Sequence, residues 1–217
     1  MIVRTIEART HGRYLVFPPP VGAAVPVLVG FHGYAEAAEQ QLERMRAIQP
    51  ACDWLLVSIQ GLSRFYQRRT SDVIASWMTR QDREAAIDDN VVYVRSVVDA
   101  VYREWPCTPL LVFAGFSQGV AMAFRAAAHS DRSVGGVIAV GGDVPPEIEP
   151  GALARIRSAL VCHGARDEWY TADTFAADLE RLRTAGVSVR ALDFDGGHEW
   201  SADVNRAAAD FLDEETR

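Results

Sequence analysis

Short apolar runs alternate with amphipathic segments along most of the 217-residue chain, and this alternation constrains the fold more than any other feature. The runs are apolar at consecutive positions, which is typical of strands buried on both faces of a parallel sheet. We expect strands at Val25–Phe31, Trp54–Ile59, Leu110–Ala114, Val134–Val140, Ala159–His163 and Val187–Phe194. Apolar residues at helical spacing predict helices around 87–101, 120–129, 175–182 and 204–212. The sequence therefore predicts the α/β class, with a mostly parallel, doubly wound sheet and helices on both faces.

The N-terminal region shows a different pattern. Ile2–Glu7 and Arg13–Phe17 lie on either side of His11-Gly12 and predict an N-terminal antiparallel hairpin. The run Pro18 to Pro20 is too close to the N-terminus to separate two domains. The length fits one α/β domain that spans residues 1–217.

One long segment, residues 61–83, interrupts the alternation of strands and helices. It carries Phe65, Tyr66, Trp77 and Met78 among five arginines and has no clean period. A loop of this length inside a compact domain is usually functional. We therefore interpret residues 61–83 as a candidate lid or substrate loop.

Charge and composition exclude several classes of protein. The net charge of −7 is opposite to that of a typical nucleic-acid-binding protein. All 22 basic residues are arginines, which excludes mechanisms that need a lysine amine, such as Schiff bases, Walker A sites and Ser-Lys dyads. The cysteines Cys52, Cys107 and Cys162 are too far apart for a disulfide framework or a C-x-x-C metal site, which favours a reducing compartment. The chain lacks a signal-peptide pattern and an 18-residue apolar run, so we expect a cytoplasmic protein without integral membrane association.

The strongest chemical motif is G-x-S-x-G at residues 115–119, with sequence GFSQG. It directly follows the apolar run LLVFA and directly precedes a helical segment. A serine on a sharp strand-to-helix turn exposes its hydroxyl, and the residues two before and two after it must be small. The helix N-terminus beneath it favours negative charge that develops during a reaction. The motif predicts Ser117 as a nucleophile.

A nucleophilic serine needs a base, and the base needs an acid that orients it. His198 follows the last predicted strand on a Gly-Gly turn, where loops at the carboxyl ends of strands form the ligand crevice. Asp167 follows the preceding predicted strand, which completes the order Ser…Asp…His expected of a hydrolase sheet. The other acids weighed for this role are Glu168, Asp143, Asp193 and Asp195. The remaining histidines are expected to be surface or packing residues (His11 and His129) or to bind loop backbone near the site (His32 and His163).

An oxyanion hole needs two backbone N–H donors. The N–H of Gln118 follows the nucleophile, and the sequence Phe31-His32-Gly33-Tyr34 after an early strand offers the N–H of Tyr34. A tight turn without this role is the competing interpretation of His32-Gly33.

The motifs GFSQG, HGY, HGARD and GGHEW, in an order and spacing that cover nearly the whole chain from about Val25, resemble the phospholipase/carboxylesterase branch of the α/β-hydrolases. That branch includes the acyl-protein thioesterases. The resemblance implies the α/β-hydrolase fold, a triad of Ser117, Asp167 and His198, and an oxyanion hole at Tyr34 and Gln118. It also implies ester or thioester substrates, with no metal and no cofactor. Thioesterases of this branch usually have HGLGD where this chain has HGYAE, so the choice between esters and thioesters stays open.

Other functions remain compatible with the sequence. A non-catalytic ligand-binding protein with this fold, or a hydrolase of amide, lactone or C–C bonds, would share most of these features. A nucleotide-binding enzyme would need a G-x-G-x-x-G turn or a P-loop, and neither follows the first strands. We expect a small-molecule ester as the substrate and no nucleic-acid partner. A homodimer is compatible with the sequence.

Aromatic and apolar side chains near the predicted crevice suggest a substrate pocket of modest depth. The candidates are Phe65, Tyr66, Trp77, Met78, Trp169 and Trp200. In a competing interpretation, Trp77 and Met78 pack the loop onto the core and Trp200 fastens the last helix. A 23-residue loop is too short for a large lipase lid, so we expect short or medium acyl chains.

Overall fold

The structure, a computed structural model, describes residues 1–19, 23–48 and 53–217. Its strands are β1 (Arg13–Phe17), β2 (Val25–Phe31), β3 (Leu55–Gln60), β4 (Ser63–Tyr66), β5 (Val73–Ser76), β6 (Cys107–Phe116), β7 (Val134–Val140), β8 (Ile156–Gly164) and β9 (Ser188–Phe194). Its helices are α1 (Ala38–Arg46), α2 (Arg83–Glu104), α3 (Gln118–Ala128), α4 (Pro150–Leu153), α5 (Ala172–Thr184) and α6 (Ala202–Glu215).

Seven strands form one sheet in the order β1-β3-β2-β6-β7-β8-β9. The strand β1 is antiparallel to β3, and every other neighbouring pair in this sheet is parallel. Each predicted core strand is present, with bounds that differ by no more than a few residues. The predicted fold class is therefore confirmed.

Helices cover both faces of this sheet because alternate residues of its buried strands point to opposite sides. On β2, Val27 and Val29 belong to the core under α2, α3 and α5. Leu28, between them, belongs to the core under α1 and α6. Parallel strands covered on both faces place all their carboxyl ends at one edge, which is where a doubly wound sheet binds its ligands.

The N-terminal antiparallel pair is present, but its partner strand is not the predicted one. Arg13–Phe17 forms β1 and pairs with β3, with Arg13 opposite Gln60. Ile2–Glu7 forms no strand. Its apolar side chains are exposed, so this segment has no buried face to hold it in a hairpin. The side chain of Arg13 donates to Gln60 Oε1 at 2.7 Å and thereby supports the pairing of β1 with β3.

The segment 61–83 is not a structureless loop. The strands β4 and β5 form a separate antiparallel pair within it, with Ser63 opposite Ser76.

Helix α1 was not predicted from the sequence. Its buried face comprises Ala38, Gln41 and Met45, and the polar Gln41 interrupts the apolar pattern that would have indicated a helix. Pro20 and Cys52 lie outside the described residues. Among the helices that the structure describes, none is long and apolar enough to cross a membrane.

Candidate active site

Three side chains from loops at the carboxyl ends of β6, β8 and β9 form a continuous chain of hydrogen bonds. His198 Nε2 lies 2.8 Å from Ser117 Oγ, and His198 Nδ1 lies 2.8 Å from Asp167 Oδ2. The three residues are far apart in sequence and meet because parallel strands end at the same edge of the sheet. The structure thus brings together the three side chains that the sequence analysis selected.

The backbone at Ser117 has the strained geometry of a strand-to-helix turn. Its φ is +53° and its ψ is −121°, a conformation that costs a non-glycine residue on the order of 1–3 kcal/mol. Close backbone contacts explain the flanking glycines. A Cβ on Gly115 would lie 2.4 Å from the carbonyl oxygen of Gly119, and a Cβ on Gly119 would lie 2.1 Å from the carbonyl oxygen of Phe31. Side chains at either position would therefore displace Ser117.

Asp167 is held as an ionised acceptor. Burial alone would raise its pKa, but hydrogen bonds from the N–H groups of Tyr170 and Trp169 and from His198 outweigh burial and lower the pKa. The two N–H groups donate to Asp167 Oδ1 at 3.0 and 2.8 Å. An ionised carboxylate only accepts hydrogen bonds, so His198 Nδ1 carries the hydrogen and Nε2 is left to accept the hydroxyl proton of Ser117.

The acids that competed with Asp167 have other positions. Asp193 lies 3.0 Å from His163 Nδ1, and Asp195 pairs with Arg166. His163 was expected to bind loop backbone, and its Nδ1 instead faces this carboxylate. His32 does bind backbone: the Gly61 N–H donates to its Nε2 at 3.0 Å, and its Nδ1 lies 2.7 Å from the Gly33 carbonyl oxygen.

The loop after β2 leaves the N–H of Tyr34 free to serve as an oxyanion donor. On either side, Gly33 N–H donates to Glu36 Oε2 at 2.8 Å and Ala35 N–H donates to the Ala75 carbonyl at 3.0 Å. Within the described residues, the Tyr34 N–H has no hydrogen-bond acceptor. The N–H of Gln118, at the first position of α3, has no acceptor within the helix.

A cleft of about 380 Å³ opens directly beside the serine. It is lined by Ser117, Gln118, Gly141, Gly142, Asp143, Trp169, Tyr170, Thr174 and His198. These residues come from the loops after β6, β7, β8 and β9 and from the first turn of α5. The cleft gives a small molecule direct access to Ser117 Oγ.

A family model described as phospholipase/carboxylesterase matches residues 22–215. The chain belongs to the phospholipase/carboxylesterase family. It is therefore a hydrolase of the EC 3.1 class, a carboxylesterase or thioesterase.

Solved structures share the fold of this phospholipase/carboxylesterase family member. Esterase PE8 is 21% identical with a TM-score of 0.73, covering 94% of this chain and 99% of its own. Acyl-protein thioesterase 2 of Zea mays is 18% identical with a TM-score of 0.74, covering 95% of this chain and 100% of its own. The carboxylesterase of Bacillus cereus is 16% identical with a TM-score of 0.72, covering 94% of each chain.

The structure revises the predicted substrate pocket of this family member. Trp77 cannot contact a substrate, because its side chain is fully buried beneath the loop after β2 and its Nε1 donates to the His32 carbonyl at 2.8 Å. Trp200 fastens α6 instead, since its Nε1 donates to Asn205 Oδ1 at 2.7 Å.

The remaining pocket candidates differ in position. Phe65 is partly exposed and its ring lies 6.0 Å from that of Tyr34, while Tyr66 is largely exposed. Met78 is half-buried, and its carbonyl accepts from Ser76 Oγ. None of these three is among the described residues that line the cleft, whereas Trp169 is.

Sequence reasoning missed two polar groups that organise the site. The Gln118 side chain accepts hydrogen bonds from Trp77 N–H at 2.9 Å and Ser76 Oγ at 3.2 Å, which ties the 61–83 segment to the nucleophile turn. Glu36 receives two hydrogen bonds of 2.6 Å from Arg44 and so fixes the loop that carries Tyr34. The sequence signal for this ion pair was a glutamate eight residues before an arginine, with the start of a helix between them.

Across residues 1–19, 23–48 and 53–217, no group of three or more His, Cys, Asp or Glu side chains is placed to hold a metal ion.

Proposed function

We propose that the protein hydrolyses carboxylic esters of short to medium acyl chains, with thioesters as the alternative substrates, through an acyl-serine intermediate on Ser117. The observation that carries this proposal is the pair of 2.8 Å contacts that link Asp167, His198 and Ser117 in one line. A ligand-binding protein would have no need for a strained serine aligned with a histidine and a buried carboxylate.

In the first half-reaction, His198 Nε2 takes the hydroxyl proton as Ser117 Oγ attacks the carbonyl carbon of the substrate. The carbonyl oxygen becomes an oxyanion, which the N–H groups of Tyr34 and Gln118 stabilise. The bond to the alcohol or thiol then breaks, and the imidazolium of His198 returns the proton to the leaving group. The product is an acyl ester of Ser117.

In the second half-reaction, water replaces the alcohol. His198 accepts a proton from water as its oxygen attacks the acyl carbon, and the proton returns to Ser117 Oγ when the acyl–serine bond breaks. Asp167 stays ionised throughout and stabilises the imidazolium through Nδ1. The carboxylic acid leaves, and the enzyme regains its starting state.

We further propose that residues 1–217 act as one domain in which the segment 61–83 is a substrate loop. Its base is attached to the site by the Gln118 side chain and by the pairing of Ala75 with Glu36. Phe65 extends from it toward Tyr34. Attachment at the base favours a fixed wall over a large mobile lid, which agrees with short or medium acyl chains.

The experiment measures hydrolysis of nitrophenyl esters and acyl thioesters of increasing chain length by the wild type and by Ser117→Ala. We expect Ser117→Ala to lower kcat by roughly 10⁴-fold or more and to abolish labelling by a fluorophosphonate probe. Ser96→Ala, which removes an exposed hydroxyl on α2, is the matched control and should leave both unchanged. Retention of activity in Ser117→Ala would refute the acyl-serine mechanism.

The same panel tests the acyl preference. Each methylene that fits should raise kcat/KM by the equivalent of about 0.8 kcal/mol until the site is full. We expect an optimum at or below about eight carbons, because the segment 61–83 is too short for a large lipase lid. A steady rise through about sixteen carbons would contradict this part of the proposal and indicate a lipase.

A further inference from the structure

An unpaired carboxylate lies in the cleft beside Ser117. Asp143 follows β7, is exposed, and lines the same cleft as Ser117 and His198. Within the described residues, neither a hydrogen bond nor an ion pair engages its side chain. The neighbouring Arg125 is buried and donates instead to Glu147 Oε1 at 2.5 Å. The carboxylate of Asp143 is therefore available to a ligand.

An exposed indole lies in this cleft as well. The side chain of Trp169 is 84% exposed, and its backbone N–H, rather than its ring, is what binds Asp167. Trp54 and Trp77, by contrast, are buried. Indole is the aromatic group that attracts a cation most strongly when the cation lies over its face. Its open ring and the carboxylate of Asp143 belong to one cleft, so both can act on the same ligand.

Positive charge is scarce in this cleft. The described lining contains no arginine, and the chain contains no lysine. A substrate carboxylate or phosphate would meet the charge of Asp143, because Arg125, whose charge interacts with Asp143, is buried and paired with Glu147. The net charge of −7 additionally favours the approach of cations.

We propose that the cleft selects esters that carry a cationic group, such as a quaternary or protonated amine, near the scissile bond. Asp143 supplies the countercharge and Trp169 supplies the aromatic surface. This inference rests on the proposed hydrolysis at Ser117 and names the class of substrate for that site.

The experiment compares substrates that are matched in shape and differ in charge. Butyrylthiocholine and S-(3,3-dimethylbutyl) thiobutyrate place the cation, or its neutral carbon analogue, on the leaving thiol. Ethyl 4-(trimethylammonio)butyrate and ethyl 5,5-dimethylhexanoate place it on the acyl portion. We expect the cationic member of at least one pair to have a kcat/KM about five- to tenfold higher, as for an exposed cation–aromatic contact combined with an exposed ion pair.

Variants then assign that preference to its two side chains. In Asp143→Asn, the ratio of kcat/KM for the cationic and neutral members should fall by about two- to fivefold, the part that an exposed ion pair contributes. In Trp169→Leu, the same ratio should fall by about two- to fivefold. Asp213→Asn removes an equal charge from an exposed position on α6 and should keep the wild-type ratio. The preference should also weaken as salt rises from about 0.02 to 0.5 M, since the ion pair is solvent-exposed.

The outcomes separate this inference from the proposed function. Ser117-dependent hydrolysis of the neutral esters without a cationic preference in either pair would overturn the inference and leave the proposed function in place. A preference that persists unchanged in Asp143→Asn and Trp169→Leu would also overturn it. Hydrolysis that survives Ser117→Ala would instead overturn the proposed function.

Discussion

Two histidine–aspartate pairs lie at the same edge of the sheet, and they differ in what surrounds them. His198 Nδ1 is 2.8 Å from Asp167, and His163 Nδ1 is 3.0 Å from Asp193. In the first pair, the aspartate side chain is 1% exposed and the histidine reaches Ser117. In the second, the aspartate side chain is 61% exposed and the histidine is buried.

The packing of the second histidine indicates a structural role. The ring of His163 stacks on Phe175 with centroids 5.0 Å apart and meets the edge of Tyr170. A ring enclosed in this way fills space between β8 and α5. The comparison shows that a histidine–aspartate contact alone does not make a base. The proposed base, His198, also has a second nitrogen directed at a nucleophile and an aspartate held by two backbone N–H groups.

Replacing each histidine gives the largest expected contrast. His198→Ala should lower kcat by roughly 10⁴-fold or more, because it removes the proposed base, whose Nε2 lies 2.8 Å from Ser117 Oγ. His163→Phe keeps an aromatic ring between Phe175 and Tyr170 and should keep kcat within about threefold. The measurement is steady-state hydrolysis of one nitrophenyl ester by both variants. Equal losses in the two variants would contradict the distinction between the pairs.

Replacing each aspartate by asparagine tests the same distinction without changing shape. Asp167→Asn should lower kcat by up to about 10⁴-fold, because an amide can hold the wrong tautomer of His198. Asp193→Asn should change kcat by less than about twofold, since its carboxylate is exposed and does not reach the reacting atoms. A loss of activity in Asp193→Asn comparable to that in Asp167→Asn would refute the assignment of the acid.

The loop after β2 and the start of α1 offer a second contrast, between two glutamates that each pair with an arginine. Glu36 binds Arg44 and the Gly33 N–H in the loop that carries Tyr34, whereas Glu39 pairs with Arg13 at the surface. Glu36→Ala should lower kcat by about 10- to 100-fold with a smaller change in KM, because it releases the loop that positions the proposed oxyanion donor, the N–H of Tyr34.

Glu39→Ala is the matched control for this effect and should leave kcat unchanged. Both variants are compared in kcat, in KM and in the free energy of unfolding. If Glu36→Ala loses stability but keeps kcat, Glu36 has a structural role alone.

The pKa of Asp178 is raised, whereas that of Asp167 is lowered. Burial is the main cause that raises its pKa, and hydrogen bonds from Val144 N–H and the Tyr170 hydroxyl oppose it. A raised pKa in the folded state favours the protonated form, so this contribution to stability is present below the unfolded pKa and is lost as pH rises through the folded pKa. Asp178→Asn should therefore gain stability relative to the wild type as pH rises above about 4.

Thermal or urea unfolding between about pH 3 and pH 8 measures this smallest effect. The control is Asp210→Asn, at an exposed position on α6, whose difference from the wild type should not follow the same trend. A difference between Asp178→Asn and the wild type that shrinks as pH rises would contradict the raised pKa.

Local patterns in the sequence predicted the sheet and the three hydrogen-bonded side chains at the carboxyl ends of its strands, Ser117, Asp167 and His198. The apolar runs are long and uninterrupted because their strands are buried on both faces, and GFSQG is readable because glycine is required where backbone atoms come within 2.1 to 2.4 Å of a would-be Cβ. The GFSQG motif, the Gly-Gly turn before His198 and the order Ser…Asp…His after predicted strands selected Ser117, Asp167 and His198.

Contacts between distant segments were decided by the tertiary structure. The edge of β3 rather than Ile2–Glu7 pairs with β1, and the buried space under the loop after β2 takes the indole of Trp77. The same packing leaves Trp169 and Asp143 open to a cleft. Sequence determines which side chains are apolar, charged or nucleophilic at each position. Whether an aromatic or charged side chain ends in the core or in a cleft depends on which strands become neighbours and how much space they enclose, and no local pattern records this.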